Sequence, residues 1–153
     1  MAHPAPDLML FVVFGLVTLA LGMKALALGV ATAATRGRLK QFLNAEDADW
    51  LNGAHVNPDP EPVARFGRAH RNDIENLLLF AICGALYVAT GASPIAGMAY
   101  CGLFLLARLA HTFAYLTRRP MLRRNAYTLG FLVVVVMSAH SAVALIILGF
   151  RHG

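Results

Sequence analysis

Four blocks of this chain are apolar for long enough to cross a lipid bilayer, and that pattern limits the fold more than any motif does. The hydrocarbon core is ~30 Å thick and takes about 20 helical residues to span. The first block runs from Leu8 to Ala34 and holds one charge, Lys24. The second, Ile74 to Thr90, is short. The preceding Arg65–Asp73 has no break except Gly67, so its helix is expected to start near residue 65. The third covers Ile95 to Thr117 and the fourth Ala126 to Phe150, with only Gly91–Pro94 between the second and third. Hydrocarbon offers no water to backbone N–H and C=O groups, so helices are expected throughout these blocks. The expected fold is an all-α integral membrane bundle of four transmembrane helices. It forms one domain over residues 1–153, with helices at about 8–34, 65–90, 95–117 and 126–150 and a cytoplasmic loop at 35–64.

Composition agrees: 58% of residues are hydrophobic and 14% charged, where a soluble domain lies nearer half and a quarter. Disorder, a collagen-like fibre and a disulfide scaffold are excluded. Cys83 and Cys101 sit inside apolar runs without C-x-x-C spacing, so neither a zinc ribbon nor a redox motif is expected. The histidines lack H-x-x-x-H spacing, so no metal site is expected.

A net charge of +5 and a pI near 9.8 could signal nucleic acid. The positions of the basic residues argue otherwise. Arg36, Arg38, Lys40, Arg65, Arg68 and Arg71 flank the first connection, and Arg118, Arg119, Arg123 and Arg124 the third. In a four-helix chain these connections share a side, which the positive-inside rule makes cytoplasmic, with both termini outside. Ala31-Thr32-Ala33 resembles a signal-peptide cleavage site, but no Lys or Arg precedes the first block and the block is too long for an h-region. The lack of targeting features points to a bacterial inner membrane, with the endoplasmic reticulum as the alternative.

Residues 41–64 are polar, with a Pro58-Asp59-Pro60-Glu61-Pro62 run too proline-rich for helix throughout. They are expected to form an irregular connection, either a functional cover or a flexible linker.

The chemistry lies at helical spacing. Arg68, Asn72 and Glu75 fall at i, i+4 and i+7, and Arg71 and Glu75 at i, i+4. Arg108, His111, Thr112 and Tyr115 form one polar stripe on an otherwise apolar helix. An arginine at bilayer depth costs at least ~2.5–3.5 kcal/mol, so it should face protein or water and have a partner. For Arg108 a bridge to Asp73 or Glu75 with no chemistry is an even alternative. Such a bridge does not account for the further Arg, His, Asn and Tyr at the same depth. Lys24 is expected to snorkel to the interface, and His140 to bond a neighbouring helix. Guanidinium groups suit carboxylates, and Glu75 suits an ammonium group. The cluster therefore describes a small ligand with more than one carboxylate and one amine. No G-x-S-x-G or other nucleophilic triad is present.

Arg65-Phe-Gly-Arg68-Ala-His70-Arg71-Asn72-Asp73-Ile-Glu75-Asn76 resembles E-R-x-x-R-A-H-x-N-D-x-E-N. This is a signature of the membrane-associated proteins in eicosanoid and glutathione metabolism, the MAPEG family. Arg108-Leu-Ala-His111-Thr112-Phe-Ala-Tyr115-Leu is similar to that family's R-x-x-H-T-x-A-Y-L, and Asn44-Ala-Glu46-Asp47-Ala48 to its N-P-E-D-A. The resemblance covers essentially the whole chain and runs to the family's prostaglandin E synthases and microsomal glutathione transferases.

It implies a homotrimer that binds glutathione between neighbouring subunits near the cytoplasmic side. The implied glutathione set is Arg36, Arg68, Arg71, Asn72, Glu75, Arg108, His111, Thr112, Tyr115 and Tyr127. Arg123 would lie nearest the sulfur, with Tyr115 the second candidate and Asp47 orienting Arg123. An unperturbed thiol has pKa about 8.5, and a fixed guanidinium beside it favours the reactive thiolate. Arg123 does not deprotonate, so its role would be electrostatic. It is read as preceding the fourth helix, whose free N–H groups would add positive potential. The implied activity is conjugation of glutathione to apolar electrophiles from the lipid, with reduction of lipid hydroperoxides. The alternatives are a prostaglandin E synthase-type isomerase and a non-catalytic membrane modulator. Two departures matter. Arg124 stands where the isomerases carry a serine, which weighs against isomerisation. The connection before it is about one residue shorter, so Arg124 competes with Arg123 for the place beside the sulfur. Relatives also usually carry a proline before the residue matching Phe80, and its absence here is expected to straighten the second helix.

Overall fold

The computed structural model describes residues 6–152, with side chains through residue 150. Among the described residues, four helices are long and apolar enough to cross a membrane. They are α1 (Leu8–Leu39), α3 (Glu61–Ala89), α4 (Pro94–Leu116) and α5 (Pro120–His152), with a short α2 (Ala45–Trp50) between the first two. The chain is an integral, multi-pass membrane protein. Large apolar side chains such as Leu19, Leu26, Phe131 and Ile146 face outward, as lipid-facing surfaces require.

Each helix start has a local cause. The Asp7 carboxylate caps α1 by accepting from Leu10 N at 2.8 Å. Pro62 and Pro94 occupy first-turn positions of α3 and α4, where the missing N–H costs nothing. The proline-rich run therefore starts a helix rather than preventing one, and α3 begins four residues before Arg65. Between α3 and α4, Gly91 takes a left-handed conformation at φ 65°, and Tyr87 Oη donates to the Ser93 carbonyl at 2.9 Å.

The core lies between α1, α3, α4 and α5. Phe80 and Phe104 stack at 4.1 Å, surrounded by Leu10, Val17, Leu21, Tyr87, Val133 and Met137. Gly84 lets α1 approach α3, since a Cβ there would stand 2.3 Å from the Phe14 ring. Away from the basic loops, Tyr100 Oη meets His140 Nδ1 at 3.4 Å, so His140 does bond a neighbouring helix.

Two expectations need correction. The fourth spanning helix starts at Pro120 rather than Ala126, so Arg123 and Arg124 lie within its first turns instead of preceding it. Residues 41–60 are not irregular throughout. Besides α2, two short parallel strands, β1 (Gln41–Phe42) and β2 (Ala54–His55), pair as Gln41↔Ala54 and Phe42↔His55. Gly53 permits this closure, because a Cβ there would stand 2.5 Å from the Phe42 ring and 2.7 Å from the Lys40 carbonyl.

Candidate functional site

The predicted residues gather at the end of the bundle that carries the basic connections, in two groups. The first group lines a groove of about 440 Å³ between α1 and α3: Arg36, His70, Arg71 and Glu75, with Gly29, Thr32, Gly67 and Ile74. Glu75 and Arg71 are exposed, and neither forms an ion pair among the described residues. Arg36 is held by Asp59, with Nε to Oδ1 at 2.9 Å and Nη2 to Oδ2 at 2.5 Å. His70 Nδ1 donates to the Ala25 carbonyl at 2.8 Å. That bond leaves Nε2 without a hydrogen-bond partner among the described residues.

The second group lies where α3 meets α4 and α5. Arg68 donates from Nε to Tyr115 Oη at 3.2 Å and from Nη2 to Glu61 at 2.8 Å. Arg65 also pairs with Glu61 and donates to the Tyr115 carbonyl at 3.1 Å. Since arginine only donates, the Tyr115 hydroxyl proton stays available to a ligand. The Arg123 guanidinium lies 4.8 Å from the centre of the Tyr115 ring, a cation–π contact. Arg123 is half-buried there, whereas Arg124 is exposed. The His111 ring sits 5.7 Å from that of Tyr115 and 6.3 Å from that of Tyr127.

Behind this surface lies a buried ionic cluster. Asp73 accepts from Arg108 Nη2 at 2.5 Å and from Lys24 Nζ at 2.6 Å. Lys24 also donates to Thr112 Oγ1 at 2.7 Å and to the Arg108 carbonyl at 3.1 Å. Thr112 Oγ1 in turn donates to Asp73 Oδ2 at 3.3 Å, so the Thr112 hydroxyl is engaged inside the bundle. Arg108 Nη2 reaches Asn72 Oδ1 at 2.7 Å as well. Arg108 is 2% exposed, yet its Nε and Nη1 have no partner among the described residues.

Lys24 does not snorkel. It sits with Leu21 and Leu28 on the buried stripe of α1, three residues after one and four before the other, and that spacing was the available signal. Asp59 and Glu61, which hold Arg36 and Arg68, also escaped the sequence reading, masked by the proline-rich run. Arg108 does form the bridge to Asp73 that was offered as the alternative reading, and it does not bond Glu75. Asp47 accepts from Asn44 Nδ2 at 2.9 Å and lines a cavity beside Arg36. A single chain does not bring it to Arg123.

The MAPEG family profile matches residues 14–143 of this chain. Among relatives, a prostaglandin E synthase of Equus caballus is 37% identical over 117 residues, 76% of each chain. The Homo sapiens protein of that name is 36% identical over 118 residues, 76% of this chain and 77% of the relative. A microsomal glutathione S-transferase 1 of Sus scrofa is 36% identical over 120 residues, 75% of this chain and 77% of the relative.

Proposed function

Because this chain belongs to the MAPEG family, we propose that it is a membrane glutathione transferase, acting on apolar electrophiles and lipid hydroperoxides. One observation carries the reading: Arg36, Arg71 and Glu75 converge on one open groove, and the Glu75 carboxylate has no ion-pair partner among the described residues. Glutathione has two carboxylates, one ammonium group and a thiol. Glu75 suits the ammonium, while Arg71 and the remaining Nη1 of Arg36 suit a carboxylate. Groove size is in the range of small-ligand sites.

The second group supplies the sulfur chemistry. Glutathione as substrate brings the nucleophile, whose thiolate forms a carbon–sulfur bond as the leaving group departs. Arg123 is the residue assigned to the sulfur, being half-buried over Tyr115 in the first turns of α5. Its guanidinium and the helix N-terminus favour the ionised thiol. Tyr115, with its oxygen already accepting from Arg68, offers its own proton to the same atom.

The groove opens between α1 and α3 while the second group lies where α3 meets α4 and α5, and a neighbouring copy set with its α4–α5 face against the groove would let one ligand touch both. A homotrimer built this way completes the site and lets Asp47 reach a neighbour's Arg123. An apolar groove of about 390 Å³ lined by Leu19, Met23, Leu26 and Leu77 shares Ile74 with the polar one, which gives a lipid-borne acceptor a route in.

The test is turnover by the detergent-purified protein with a chlorinated aromatic acceptor and with an organic hydroperoxide. Glutathione-dependent product from the chlorinated acceptor supports the transferase reading. Glutathione binding without turnover of any electrophile favours a non-catalytic modulator, and absence of binding overturns the proposal.

A further inference from the structure

Asp73 has two carboxylate oxygens, and two different cations hold them. Arg108 takes Oδ1 at 2.5 Å and Lys24 takes Oδ2 at 2.6 Å, with the Thr112 hydroxyl also on Oδ2. An arginine beside a lone carboxylate ordinarily closes a two-pronged fork. Here Lys24 occupies the second oxygen, and the fork does not close. Arg108 stays attached by Nη2 alone, which is also what reaches Asn72 Oδ1 at 2.7 Å. Among the described residues its Nε and Nη1 remain buried without partners, a costly state that signals a constraint imposed from outside the pair.

The constraint matters through Asn72. Arg108 has only donors, so the Asn72 amide must present its oxygen inward and keep its NH₂ group free. A ligand at Asn72 therefore meets a donor, the match for a carboxylate or a peptide carbonyl.

We propose that Lys24 is a positioning residue for the ligand: by filling the second oxygen of Asp73, it keeps Arg108 on Asn72 and so fixes the Asn72 amide as a donor. Remove the ammonium, and the Arg108 guanidinium turns to take both Asp73 oxygens, releasing Asn72. The inference rests on the reading that Asn72 contacts glutathione. It adds a residue of α1, more than 40 positions from the α3 motif in sequence, that sets the polarity of the contact.

The experiment is a double-mutant cycle on glutathione affinity, measured by equilibrium binding to the detergent-purified protein. Lys24→Met keeps the length of the side chain and leaves Asp73 and Arg108 as a balanced pair, so no buried charge is orphaned. Expected is a five- to tenfold rise in Kd, with kcat at saturating glutathione retained, because the groups assigned to the sulfur are elsewhere. Asn72→Ala should cost a similar factor, and the double variant should cost no more than either single one. Lys24→Arg, which restores a cation at Oδ2, should return the affinity to near that of the parent. Losses that multiply in the double variant, or a Lys24→Met protein with unchanged Kd, overturn the proposal. If Lys24→Met does not fold, Lys24→Leu takes its place under the same criterion. Failure of the parent protein to bind glutathione would instead defeat the functional reading itself.

Discussion

Replacing Asp73 by alanine tests the buried cluster most directly. Asp73 is 3% exposed and, among the described residues, is the one carboxylate placed against Lys24 and Arg108. Its removal leaves two cations in the low-dielectric interior of the bundle, close enough to repel each other. Breaking a buried pair by deleting one partner costs about 3–5 kcal/mol. For a chain of this size each kcal/mol lowers the melting temperature by roughly 2–4 °C, so a drop of about 6–20 °C is expected. Cys101 is a buried free thiol and provides the assay, since a thiol-reactive fluorogenic dye reports its exposure as micellar protein unfolds. A companion variant separates charge from packing. Lys24→Met, Asp73→Leu and Arg108→Leu together remove every charge of the cluster and should recover most of the lost stability, since apolar replacements of buried ionic groups are often neutral. The reasoning is refuted if Asp73→Ala melts within about 2 °C of the parent, or if the triple variant is no more stable than the single one.

Three further outcomes are expected. Arg123→Ala should leave glutathione affinity largely intact while abolishing the ultraviolet thiolate signal and lowering turnover by about a hundredfold; an unchanged signal would move the role to Tyr115 or Arg124. Glu75→Gln should weaken glutathione binding by roughly tenfold, the loss of a charge-assisted contact; unaltered affinity in a binding titration would place the ammonium elsewhere. Gly84→Val should displace the Phe14 ring and cost about 1–3 kcal/mol, seen as a lower melting temperature with the glutathione Kd unchanged; a Kd that rises with it would tie the α1–α3 contact to the groove.

The four spanning helices were legible because hydrophobic block length is a strong signal that needs no tertiary context. The α4 stripe was equally readable. Arg108, His111 and Thr112 are all buried there, as their spacing demanded. What the sequence could not supply was the partner of each polar group. Asp73 and Glu75 stood equally near Arg108 on paper, and only the rotation of α3 decides that Asp73 turns inward while Glu75 faces the α1 groove. Lys24 was misjudged because snorkelling is the usual fate of a single lysine in a membrane helix, whereas here the Asp73 carboxylate on α3 draws it in. The early start of α5 was hidden by the four arginines around Pro120, which read as loop although a proline in the first turn is compatible with helix. The strands at residues 41–42 and 54–55 are too short to leave a periodic pattern.

The pairing of β1 with β2 and the grip of Asp59 on Arg36 together turn residues 41–59 into a strap buckled at both ends. Slack in such a strap can exist only between its fastenings, around residues 43–52. Peptide spliced into that stretch would bulge into water and leave the helices where they are. The same peptide spliced between Ala54 and His55 would instead break the β1–β2 pairing and undo one of the two fastenings that hold the loop against the ends of α1 and α3. Natural variation in length is therefore expected to accumulate on the near side of Gly53, and a reporter or affinity handle belongs there too.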